Sequence, residues 1–127
     1  MDIQTHKCID PELCGKPVHL EEGLSRVTMN TKGKMRVDDS GLVHGGFVFG
    51  LADYAAMIAV NHPNVVLGSA DVKFMKPIRV NESIIAEAKV IKKQGRKQNV
   101  QVSVIKGNEK VFEGEFICFV LDKHVLG

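Results

Sequence analysis

Tryptophan is missing from this 127-residue chain, and tyrosine occurs once, at Tyr54. A surface for stacking bases is therefore missing too. The net charge of +2 is too small to imply nucleic-acid binding by itself. The longest apolar stretch, Gly45 to Val60, is too short to span a bilayer and has an acid in its middle. The first residues, Met-Asp-Ile-Gln-Thr-His-Lys, contain no apolar core of a secretory signal. Cys8, Cys14 and Cys118 are an odd number and cannot all pair. Together these features predict a reducing, cytoplasmic setting, with no nucleic-acid or membrane partner. His6, Cys8, Cys14 and His19 fit no standard zinc spacing, so no metal is expected. Ser40 has no Gly-x-Ser-x-Gly around it, which argues against a serine-hydrolase nucleophile.

What remains is one domain's length of ordinary soluble composition. Residues 1–17 are polar, hold two prolines and show no period; they read as an irregular arm. Val18 to Asn30 reads as one imperfect strand with Gly23 as a possible bulge. Asp38-Asp39-Ser40-Gly41 is a loop leading to a helix from Gly45 to about Asn61, stopped by Pro63. That helix is apolar on all sides, so it should be buried on most of them.

After Pro63 the apolar period becomes two. Ala70, Val72 and Phe74 share one face. Ile84, Ala86, Ala88 and Val90 follow, then Val100, Val102 and Val104, then Phe112, Phe116, Cys118 and Val120. Turn signals separate these runs at Lys76-Pro77, Gln94-Gly95 and Lys106-Gly107-Asn108. Four such strands predict an antiparallel sheet wrapped around the one long helix, an α+β fold.

Asp53 is the only charge between Gly45 and Val60. Burying a lone carboxylate is costly unless it has a partner or a task. Burial also raises its pKa, which suits a general base. His44-Gly45-Gly46 stands at the helix start, where bare backbone N–H groups suit an oxyanion. Each residue has a plainer reading as well. Asp53 can be a structural acid, and His44 a loop-shaping residue. Gly45 and Gly46 can serve tight packing, and Ser69 can be a polar-face side chain. Phe47, Phe49, Met57 and Met75 suit a core or an acyl pocket. Lys92, Lys93, Arg96 and Lys97 surround Gly95 as either a solvated hairpin or a phosphate site. Lys73, Lys76 and Arg79 form a second basic group.

Gly41-Leu42-Val43-His44-Gly45-Gly46, Leu51-Ala52-Asp53, Ser69-Ala70-Asp71-Val72-Lys73-Phe74 and Lys76-Pro77 together resemble the hotdog-fold acyl-CoA thioesterases of the phenylacetyl-CoA thioesterase type. The resemblance covers roughly residues 18–124. It implies that Asp53 activates water or attacks directly, that the Gly45 N–H polarises the thioester carbonyl, and that the Ser69 hydroxyl assists. Asp38 stands where many such relatives hold Asn, which puts an extra carboxylate near the reaction. Coenzyme A is part of the substrate, so no separate cofactor is implied. The Ser69–Phe74 run also resembles the hotdog domain of a malonyl-CoA-binding bacterial transcription regulator. With no DNA-binding segment read ahead of the domain, regulation of that type is not expected.

Gly45 and Asp53 are eight residues apart, about 12 Å along one helix. One helix cannot bring both groups to one thioester. A site using both needs a second copy, so a homodimer or homotetramer is expected. The competing function is a non-catalytic acyl-CoA or acyl-carrier-protein binding module of the same fold. A hotdog dehydratase is a third reading, and the same distance argues against a His44–Asp53 pair within one chain.

Overall fold

The long helix forms where expected. In the computed structural model, which describes Met1–Gly127, α2 spans Gly45–Val60. His44 caps its start, and Asn61 ends it in a left-handed conformation at φ 54°, a conformation Asn tolerates well. Leu51, Ala52 and the run Tyr54 to Ala59 are buried, which leaves Asp53 as the interruption. Ahead of α2 are α1 (Pro11–Cys14), β1 (Lys16–Glu21), β2 (Leu24–Asn30) and a short 3-10 turn at Gly33–Met35. After it come β3 (Val65–Phe74), β4 (Ser83–Gln94), β5 (Lys97–Lys106) and β6 (Glu109–Val120).

The six strands form one antiparallel sheet in the order β1-β2-β4-β5-β6-β3. Its concave face holds Val27, Ile84, Ala86, Ala88, Val102 and Phe116, all buried, and wraps α2. The period-two runs read from the sequence supply these side chains. The buried Ser25 on β2 ties sheet to helix by donating from Oγ to the Ala55 carbonyl at 2.7 Å. This is the α+β, helix-in-sheet arrangement expected, the hotdog fold. Gly95 opens the β4–β5 turn at φ 61°, which a two-residue hairpin loop favours.

Three expectations are corrected. Residues 18–30 are not one strand. β1 and β2 form a hairpin, and Gly23 at φ 75° makes its turn rather than a bulge. Its carbonyl accepts from the Val90 N–H at 2.8 Å, joining the turn to β4. Ala70 and Phe74 share the core-side face with Phe116 and Phe112, their partners on β6, but they are not covered. They lie on β3, an edge strand, and both are exposed, Phe74 by 57%. The N-terminal arm is not wholly irregular. Asp10 caps α1 through its side chain, and Asn61 grips the arm twice: it accepts from the Gln4 N–H and donates to the Asp2 carbonyl, both at 2.8 Å.

The β3–β6 seam depends on Gly114. A Cβ there would lie 2.5 Å from Val72 Cγ1 and 2.7 Å from the Asp71 carbonyl oxygen. The backbone atom cannot turn aside, so Gly114→Ala must push β3 outward. Overpacking of this kind costs about 1–3 kcal/mol. A lower urea midpoint is the expected result; an unchanged one would show that the seam yields freely.

Candidate functional site

Asp53 lies in the third turn of α2, half-buried between apolar neighbours. Its Oδ1 is buried without a hydrogen-bond partner. Burial pushes the carboxyl up from the ordinary 3.8 to about 6. The group opens on a chamber of about 590 Å³, whose walls include Thr5, His6, Lys7, Met57, Asn64 and His124. The arm residues come from a segment with no periodic signal, and His124 comes from the C-terminal tail. Sequence reading named His6 only within a rejected zinc set and missed Thr5, Lys7 and His124; the helix-ending Asn61, which binds the arm, is the local cue.

Gly45 is the first residue of α2, and its N–H has no partner within the chain. It opens on a second cavity of about 370 Å³ with Phe74, Met75, Lys76, Val48 and Val111. The two cavities share no residue. β3 links them, since Val65 at its start walls the first and Phe74 at its end walls the second.

Only one of the two glycine N–H groups is bare, against the sequence expectation. The Gly46 N–H donates to His44 Nδ1 at 2.8 Å, which makes His44 an N-cap. A Cβ on Gly46 would sit 2.8 Å from that same nitrogen, so the second glycine makes room for the capping ring. His44 is exposed, and Phe47 meets its ring edge-on at 6.2 Å between centroids. Phe49 packs on Phe116 at 5.4 Å, in the core. Met57 walls the Asp53 chamber and Met75 the Gly45 cavity.

Ser69 is exposed on β3, just past an irregularity in its pairing with β6, and walls neither cavity. The extra carboxylate, Asp38, is tied into its own loop. Its Oδ1 accepts from the Ser40 hydroxyl and the Ser40 N–H, which lower its pKa. The basic turn lies at the other end of α2 from Gly45. Lys93 and Arg96 stand beside Val60 and Asn61, and Arg96 pairs with Asp122. Lys92 and Lys97 flank them in β4 and β5, Lys92 exposed and Lys97 partly so. At the Gly45 end stands Lys76, which also approaches Glu109 at 3.8 Å. No three metal-ligating side chains gather anywhere, and no helix is long and apolar enough to cross a membrane.

Residues 40–113 match the family model described as Thioesterase superfamily. Among curated proteins, the chain is 54% identical over 123 residues to methylthioribose-1-phosphate isomerase of Aquifex aeolicus, covering 96% of the chain and 27% of that protein. It is 29% identical over 85 residues to transcription factor FapR of Caldanaerobacter subterraneus, covering 67% of the chain and 42% of that protein. The chain thus spans less than half the length of these curated relatives. Among solved structures, an uncharacterized protein from Pyrococcus horikoshii superposes with a TM-score of 0.99 at 51% identity, over 100% of this chain and 98% of that one. A mutant of the phenylacetic acid degradation protein PaaI from Thermus thermophilus superposes with a TM-score of 0.79 at 26% identity, over 86% and 95%.

Proposed function

The chain belongs to the thioesterase superfamily, and from that membership we propose that it hydrolyses acyl-CoA thioesters to a free acid and coenzyme A. One observation supports this above the rest: the only acid of α2 is half-buried, unpartnered at Oδ1 and raised to about 6 beside an open chamber. Such a group is ionised at neutral pH yet basic enough to take a proton from water.

Two copies of the chain build the site. The two cavities are separate, and eight helical residues span about 12 Å. With two α2 helices antiparallel, Asp53 of one copy faces Gly45 of the other, and a twofold pair has two such sites. The thioester oxygen rests on the bare Gly45 N–H. Asp53 takes a proton as water adds to the carbonyl carbon. The tetrahedral intermediate collapses, the C–S bond breaks, and the thiolate regains the proton from Asp53. Water and substrate complete this balance, with no separate cofactor. His44 acts by capping rather than by proton transfer, and it orients the helix start with Gly46.

The same pairing makes sense of the basic turn. Lys92, Lys93, Arg96 and Lys97 of one copy then lie roughly 12 Å beyond the partner's helix start, where the nucleotide phosphates of coenzyme A emerge. Arg suits phosphate geometry well. In this reading the enzyme is a cytoplasmic homodimer or homotetramer, with Phe47 near the acyl end and Ser69 a neighbour of the seam.

The match to FapR favours a second reading, an acyl-CoA-binding module without turnover. Free-thiol release from short, long and aromatic acyl-CoA esters separates the two. Turnover of some esters is the expected result. Tight binding of an ester with no thiol release from any would establish the module instead.

A further inference from the structure

The Asp53 chamber contains a second proton-handling group. His6 sits in the N-terminal arm with a left-handed backbone, φ 55°. Left-handed residues other than glycine are uncommon and call for an explanation. Its Nδ1 lies 2.8 Å from the Oγ1 of the buried Thr5, and its ring leans on Tyr54 at 6.3 Å, the residue after Asp53. The Asn61 grip at Asp2 and Gln4 holds the arm, while Thr5 and Tyr54 meet the ring itself. Like Asp53, it walls the chamber.

We propose that His6 and Asp53 of the same copy together hold the water that attacks the thioester. This rests on the hydrolase reading above and adds a residue to it. The role uses the tautomer in which the Nδ1–H donates to Thr5 Oγ1 across that 2.8 Å contact, so that Nε2 keeps its lone pair for the water. The water gives one hydrogen to Nε2 and the other to Asp53, and its own lone pair points at the carbonyl carbon. Only the proton shared with Asp53 is transferred. His6 orients the water and returns to its starting state.

Burial supports the role by lowering the His6 pKa below its usual 6.5, so the ring is neutral at pH 7. The other groups facing or near the chamber are Lys7 from the arm and His124 from the tail, and the Cys14 and Cys118 thiols. Burial pushes both thiols up, Cys118 to about 12, so they stay protonated.

The test uses His6→Gly, since glycine accepts the left-handed backbone without strain. Loss of the water's second anchor is expected to lower kcat about 10²-fold with little change in KM. Added imidazole should restore part of the rate, which a purely structural loss would not allow. On the acid side, wild type should lose activity with two protonations and the variant with one. If Asp53→Asn abolishes turnover while His6→Gly keeps the full rate, or if imidazole restores nothing, the inference falls and the hydrolase reading stands. If wild type releases thiol from no ester, both fall together.

Discussion

Asp53→Asn should lower kcat about 10³-fold, within the range that a general base contributes, without unfolding the protein. The amide keeps the shape and loses the basicity. Wild-type activity should rise with pH through about 6, where the carboxyl ionises. Stability should show the same group with the opposite benefit. The folded carboxyl holds its proton up to about 6 against an ordinary 3.8, so the folded state binds the proton more tightly than the unfolded chain. Below about pH 4 the group is protonated in both states and costs nothing. As pH rises from 4 to 6, folded stability falls, and above 6 the full penalty remains. Two pKa units correspond to roughly 3 kcal/mol. Other titrating groups cancel in the comparison, so the variant should gain on wild type between pH 4 and pH 7 in parallel urea titrations. Parallel curves at both pH values would mean that Asp53 is well solvated and its burial is of no consequence. A residue that costs stability and supplies turnover is what a functional acid looks like.

Gly45→Pro should cost about 10²–10³ in kcat by deleting one oxyanion donor. Proline normally wrecks a helix, but not here. Gly45 is the first helical residue, where proline fits well. His44 before it is already extended, at φ −63° and ψ 131°, as a residue preceding proline must be. The added ring meets Phe74, whose nearest atom is 3.1 Å from a Cβ at this position, and that exposed side chain can swing aside. Gly45→Ala is the control that keeps the N–H and should stay active. Mixing provides a sharper check. Co-expressed Asp53→Asn and Gly45→Pro chains, each inactive alone, should recover roughly a quarter of wild-type activity, because half of random dimers carry one intact site. No recovery in a verified mixed dimer would place both groups in one chain and overturn the two-copy site.

Much of this was legible in the sequence because burial leaves a period. Ile84 to Val90, Val100 to Val104 and Phe112 to Val120 alternate, and each became a strand against α2. The β1–β2 turn was not, because only Gly23 marks it among residues that otherwise read as one strand. Ala70 and Phe74 have the right pattern and the right face, but they lie on an edge strand, and a period of two does not tell an edge position from a covered one. The occupied Gly46 N–H depends on a ring orientation that no spacing encodes. His6 was visible only as a member of a zinc set whose spacing fits nothing, and its place beside Asp53 was hidden. It sits in a polar arm without period, and what places it is Asn61, more than fifty residues along the chain.

Two segments far apart in the sequence border the Asp53 chamber, residues 4 to 7 on one side and His124 and Val125 on the other. Neither is a neutral handle. A fluorophore or a surface linkage attached within either segment is anchored to the wall of the compartment being measured. Ligand affinities should therefore differ with the segment chosen for attachment. A label on the far side of the sheet, at an exposed β4 position such as Lys89, leaves the compartment untouched.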